Sequence, residues 1–215
     1  MDNYLEHYHR TEGNFHFYLL IIDILKDLTK DVPNLRVLDY GAGAIPYTIT
    51  PISVLQKDQH TVAYDPQLAE DIFKALPGIN SIQWVKEPPL GQAFDLAVCH
   101  FSLHHMTKPP MEALGELKDY HLSLVTIADY DFTDSTFEEF RKVFIADQEL
   151  KELRTVFGGD WEACFAYHSR FGLNAYQQAL ETNGFNLIRI ERGKGIAKNK
   201  ILLIGKVPFQ DRSNP

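Results

Sequence analysis

The stretch VLDYGAGAIPYT, Val37–Thr48, decides the fold. A short apolar run ends in Asp39, and Gly41 and Gly43 follow with Ala42 between them. Glycines in a turn after a strand let the backbone approach a ligand and leave amide N–H groups to donate. Dinucleotide loops carry a third glycine for close helix packing, where this chain has Ile45–Pro46. The Asp39 carboxylate would repel a pyrophosphate and suits a ligand with an ammonium or sulfonium charge.

Working outward, apolar runs and helical patterns alternate. Residues 14–30 carry apolar positions at helical spacing and end at Asp31–Val32–Pro33. LRVLDY (35–40), HTVAYD (60–65), SIQWV (81–85), FDLAVCHF (94–101) and LSLVTIAD (122–129) read as strands. Helices are expected at about 47–56, at 66–76 and around 110–119. Five such units predict a doubly wound, mostly parallel α/β sheet. FNLIRIE (185–191) and KILLIGKV (200–207) lie too close together for a crossover helix, so an antiparallel hairpin is expected.

About forty residues break the rhythm between the fifth strand and the helix LNAYQQALETNG (173–184). They are helix-prone and aromatic, with Phe137, Phe140 and Phe144 along one face. Two readings stand: an extra helical cover for the sheet edge, or a lid over the crevice at the strand ends. The 215 residues suit one domain, 1–215, with an arm and helix at 1–30 and this insertion at about 130–171.

The net charge of -8 argues against a dominant nucleic-acid surface. The apolar run Phe17–Leu25 is too short to span a membrane and contains Asp23. Two distant cysteines, Cys99 and Cys164, and a polar N-terminus fit a soluble cytoplasmic protein.

Asp65 closes the second strand about twenty-four residues past Gly41, where a carboxylate accepts from both hydroxyls of a ribose. It also suits a cap for the helix opening at Pro66. These elements fit either a nicotinamide cofactor or S-adenosylmethionine, and the missing third glycine with Asp39 favours the latter.

Together, VLDYGAG and AYDP resemble the first and second motifs of the class I S-adenosylmethionine-dependent methyltransferases. FDLAVCHFSLHHM (94–106) is similar to the corresponding segment of their small-molecule branch, which includes the ubiquinone/menaquinone biosynthesis methyltransferases. The resemblance covers roughly residues 35–129 and 173–207. It implies a Rossmann-like, seven-stranded sheet with an antiparallel last strand, and S-adenosylmethionine as cofactor. It implies that Asp39, Gly41, Ala42 and Gly43 line the methionine and sulfonium part, with Asp65 at the ribose and Pro66 beside the adenine. His100 and Phe101 would approach the methionine moiety and methyl group. Glu87 would stand in for an Asp that binds the adenine amine in many relatives. The segment with Tyr4, Tyr8, His9 and Arg10 is either a solvated arm or, as in that branch, an arm folded over the cofactor, where Arg10 would pair with its carboxylate.

The expected reaction is methyl transfer to a small, partly apolar acceptor. Proton removal from the acceptor would fall to a histidine. His104 and His105 cluster near His100, and Asp129 and Tyr130 close the fifth strand, so these four are the catalytic candidates. A cap for the helix after Met106 and a metal site are the other readings of the histidines. Tyr167–His168–Ser169–Arg170 either brings polar groups onto the acceptor or forms a surface loop. Two further functions stay open: a nicotinamide-dependent oxidoreductase, and a protein that binds S-adenosylmethionine without transferring its methyl.

Overall fold

A computed structural model describes residues 12–42, 60–66, 82–106, 108–146 and 150–208. Gly43, Arg10 and the helices expected at 47–56 and 66–76 lie outside the described residues, apart from Pro66 itself.

Helix α1 spans Glu12–Thr29. Strands β1 (Arg36–Tyr40), β2 (His60–Tyr64), β3 (Ile82–Val85) and β4 (Leu96–His100) follow. A 3-10 turn over Leu103–His105 leads to α2 (Pro110–Glu116), which opens on a proline at its first turn, where no amide donor is missed. Strand β5 (Leu124–Tyr130) precedes α3 (Phe137–Ala146), α4 (Leu150–Thr155), α5 (Trp161–His168) and α6 (Leu173–Thr182). Strands β6 (Asn186–Arg192) and β7 (Lys200–Lys206) complete the order.

The seven strands form one sheet in the order β3-β2-β1-β4-β5-β7-β6. Strands β1 to β5 pair in parallel. Strand β7 runs antiparallel to both neighbours, with Asp129 opposite Ile201 on one side and Ile190 opposite Leu203 on the other. The hairpin is therefore present, and its second strand is inserted between β5 and β6. The order reverses between β1 and β4, which opens a crevice outside their carboxyl ends.

Side chains alternate between the two faces of each strand, and the central strands β1, β4, β5 and β7 are buried on both, whereas the edge strand β6 stays largely exposed. On one face Val37, Leu96, Val98 and Leu202 pack against Phe17, Ile21, Ile24 and Leu25, which recur at helical spacing along α1. On the other, Leu38, Ala97, Val125 and Leu203 meet Leu114 of α2 and Tyr176, Ala179 and Leu180 of α6.

The insertion joins the α1 face. Phe140 and Phe144 are buried there with Phe132, Leu153 and Cys164, whereas Phe137 stays half-buried against Phe165. Asp160 caps α5 by accepting from the amides of Glu162 and Ala163 at 3.0 Å each. The ends of the insertion meet: Asp131 accepts from Thr133 at 2.5 Å and Arg192 at 2.8 Å, and a Cβ on Gly172 would sit 2.5 Å from its Oδ1. No helix among the described residues is long and apolar enough to cross a membrane.

Candidate active site

At the end of β1, Asp39 is buried between Ala63 of β2 and Val98 of β4. Gly41 has φ +80, and a Cβ there would meet Ser102 Cβ at 2.7 Å and Met106 Cε at 2.9 Å. Only glycine meets both demands, a left-handed backbone and contact with the β4 loop. The turn chemistry alone predicts that the Gly41 and Ala42 amides stay available to a ligand, and they do not. Both donate to the Tyr64 carbonyl, at 2.9 and 3.1 Å, because the parallel register brings that oxygen over the turn. The Tyr40 hydroxyl bonds the Glu116 carboxylate, which also takes Lys108, and burial with this bond pushes the Tyr40 phenol up.

Asp65 is half-buried just past β2, with its amide donating to Val85 at 3.2 Å, and Pro66 beside it is exposed. Glu87 is exposed two residues past β3. Asp39, Asp65 and Glu87 thus follow one another across the C-terminal ends of three adjacent strands.

His100 closes β4 inside the sheet. Its Nε2 lies 2.9 Å from Thr126 Oγ1, and burial, opposed by the Asp129 charge, pushes it down to about 3. The imidazole is neutral and turned toward β5. Phe101 takes φ 51 and sets its ring 6.5 Å from Phe17, 5.8 Å from Tyr18 and 5.6 Å from Tyr130, joining α1 to the end of β5. The Lys200 ammonium sits over the same two rings, 5.1 Å from Phe101 and 5.3 Å from Tyr130.

The 3-10 turn after β4 carries His104 onto β5. Its Nδ1 is 2.5 Å from Asp129 Oδ1, and the same carboxylate accepts from the Tyr130 amide at 2.8 Å. Burial raises the Asp129 carboxyl, but His104, the Tyr130 amide and the Tyr176 hydroxyl outweigh it and hold the carboxyl below its usual range. Burial pushes His104 down to about 4 against the pull of that carboxylate. A neutral imidazole beside an ionised carboxylate places its hydrogen on Nδ1. Nε2 is then a bare lone pair, buried with no hydrogen-bond partner among the described residues. Tyr130 packs against the His104 ring at 5.1 Å.

His105 packs against His104 with ring centroids 3.9 Å apart and the planes tilted by 44°, and keeps 40% of its side chain exposed. Its Nδ1 lies 3.3 Å from Glu152 Oε1 of α4. The other oxygen, Oε2, is 3.2 Å from Nε2 of the buried His168 on α5. Burial raises the Glu152 carboxyl and the two imidazoles more than reverse the effect. Tyr167 donates to the Met106 carbonyl at 3.0 Å, Arg170 lies over the Tyr167 ring, and Ser169 returns its hydroxyl to Phe165. Among the described residues no three His, Cys, Asp or Glu side chains converge as metal ligands.

The structure therefore joins His104, His105, Asp129, Tyr130 and Phe101 in one cluster at the ends of β4 and β5. Asp39, Gly41, Ala42, Asp65 and Glu87 form a second group along β1 to β3. Glu152 and Lys200 belong to the first cluster and carry no motif that marks them in the sequence.

Solved structures share this fold. The plantazolicin methyltransferase BpumL with SAH matches 94% of this chain and 88% of its own, at 13% identity and a TM-score of 0.62. Magnesium protoporphyrin IX methyltransferase (ChlM) from Synechocystis PCC 6803 with bound SAH matches 91% and 84%, at 15% identity and 0.58. The fold is that of the class I methyltransferases. A SAM-dependent methyltransferase from Aquifex aeolicus covers 85% of this chain and 89% of its own, with 16% identity and a TM-score of 0.56. No family model and no curated protein sequence matches the chain. Within the methyltransferase fold, the acidic row and the histidine cluster both lie at the carboxyl ends of the strands, where such sheets bind ligands.

Proposed function

We propose that the chain is an S-adenosylmethionine-dependent methyltransferase acting on a small, partly apolar acceptor, with His104 as its general base. The buried His104–Asp129 pair at the carboxyl end of β5, in a sheet of this fold, carries the reading.

The residues along β1 to β3 fit the cofactor. Asp39, Asp65 and Glu87 suit ammonium and sulfonium charge, ribose hydroxyls and an adenine amine, and Gly41 keeps the turn free of a side chain. When bound, S-adenosylmethionine supplies an activated methyl group, so the protein's part is alignment and proton removal. His104 takes the acceptor's O–H or N–H proton at Nε2. Asp129 holds the Nδ1–H and stabilises the imidazolium that forms. Tyr130 supplies apolar wall against the His104 ring, and Phe101 packs behind Tyr130.

Two neighbours of the fold are methyltransferases of magnesium protoporphyrin IX and of plantazolicin, which supports an acceptor other than a nucleic acid. The net charge of -8 supports the same choice. Cys99 and Cys164 are buried thiols outside any disulfide, which fits work in a reducing cytosol.

Thermal shift separates this function from its rivals. S-adenosylmethionine and S-adenosylhomocysteine should stabilise the chain, by about 2.7 kcal/mol at a hundredfold excess over Kd, and nicotinamide cofactors should not. Stabilisation by a nicotinamide cofactor alone would sink the reading. Binding without methyl transfer to any acceptor in a broad screen would leave a binding protein.

A further inference from the structure

The base-competent atom of the site is out of reach. His104 is 1% exposed and its Nε2 is buried, yet a general base must touch the proton it removes. Among the described residues, the rings of Tyr130, His105 and His168 pack against the imidazole. Tyr130 belongs to β5, held on both sides by β4 and β7. His168 belongs to the insertion, and its ring centroid lies 5.5 Å from that of His104.

Glu152 bonds the insertion to the turn that carries His104. One oxygen takes His105 of that turn at 3.3 Å, and the other takes His168 at 3.2 Å. Tyr167 adds a bond to the Met106 carbonyl. The His105 end keeps 40% of its side chain exposed, so it is the end that solvent reaches first. Glu152 is 11% exposed, and neither its position nor its partners serve the cofactor residues along β1 to β3.

We propose that Glu152 is a positioning residue, the latch that holds α4 and α5 over His104, and that the acceptor reaches Nε2 only when it lets go. The proposal rests on the general-base reading of His104. Two imidazole N–H donors need two acceptor oxygens, and a carboxylate supplies both. A glutamine offers one oxygen and one NH2, so Glu152→Gln keeps the size and loses one of the two bonds. Local opening of this kind draws on the low-stability part of a fold and leaves the sheet intact.

Diethylpyrocarbonate, which acylates bare imidazole nitrogen, reads this directly on the full chain at pH 7, with peptide mapping by mass spectrometry. In the wild type His104 should react far more slowly than the exposed His60 and His121. In Glu152→Gln the His104 rate should rise by at least about tenfold relative to His60, while His100, buried in the sheet, stays protected. An unchanged His104 rate with His100 protected would overturn the latch. If His100 reacts as well, the variant has lost its fold, and His105→Asn, which removes the exposed end of the clamp, decides by the same criterion. S-adenosylhomocysteine binding by calorimetry reads the cofactor site separately: its absence would refute the methyltransferase reading and leave the His104 result standing.

Discussion

Gly41 and Ser102 touch so closely that a Cβ on the glycine would lie 2.7 Å from the Cβ of the serine. Ser102 also donates its hydroxyl to the Tyr40 carbonyl at 3.0 Å, so the loops after β1 and β4 are fastened together at the switch point. Gly41→Ala combines overpacking with a left-handed backbone. It should cost about 2–4 kcal/mol and weaken S-adenosylhomocysteine binding. Denaturant midpoints and calorimetry check it, and a variant as stable as the wild type would show that the contact relaxes freely.

Asp65 stands half-buried one residue past β2, beside the Gly41–Ala42 turn that bonds Tyr64. As a ribose acceptor its carboxylate would make two charge-assisted bonds, each worth about 1.5–3 kcal/mol. Asp65→Ala should therefore lower S-adenosylhomocysteine affinity by about thirtyfold to a thousandfold, on the order of 2–4 kcal/mol. Unchanged affinity would leave Asp65 only the role of a cap.

Acid should loosen the fold before the carboxylates titrate. His100 and His104 are held neutral at about 3 and 4 against an ordinary 6.5. Below 6.5 the unfolded chain takes up protons that the folded chain refuses, so stability falls as pH falls toward 4. The slope is up to about 1.4 kcal/mol per histidine per pH unit. The downshifted Asp129 adds a contribution that is present above about 3.9 and lost as pH drops below it. Urea midpoints at pH 7, 6 and 5 measure the slope, and His104→Asn should roughly halve it. A flat profile would mean that both imidazoles charge inside the fold.

His104→Asn and Asp129→Asn test the base. Each should cut methyl transfer by about 10²–10⁴-fold while S-adenosylhomocysteine affinity stays within about threefold. A loss confined to cofactor affinity would move the pair from proton removal to binding.

The central strands were legible because they are short apolar runs buried along nearly their whole length, from RVLDY to KILLIGK. The helical insertion was legible through Phe140 and Phe144, whose spacing needs a common buried face. His104 and Asp129 could be named because one follows the fourth strand and the other lies at the end of the fifth, both on the crevice side. Their bond could not, since it depends on a 3-10 turn lifting His104 across β5. Glu152 sits in LKELRT, a helix with no motif, and acquires its partners only when α4 and α5 fold back onto the turn. Lys200 opens an apolar strand and reads as a solvated end, yet it is buried over Phe101 and Tyr130. The fate of the Gly41 and Ala42 amides was set by the β1–β2 register, a long-range property that local turn chemistry does not contain.

Strand β7 lies between β5 and β6 although it follows both in the chain. During synthesis β5 therefore emerges with a bare edge, and the strand that covers it appears some seventy residues later. Until then Asp129 has no Ile201 beside it, and the two cores flanking the sheet lack Leu202 and Leu203. Pairing over such a separation makes closure of the sheet a late step in folding. A nascent chain arrested before Lys200 should accordingly be open to protease around β5, and protection should arrive with the final strand rather than helix by helix.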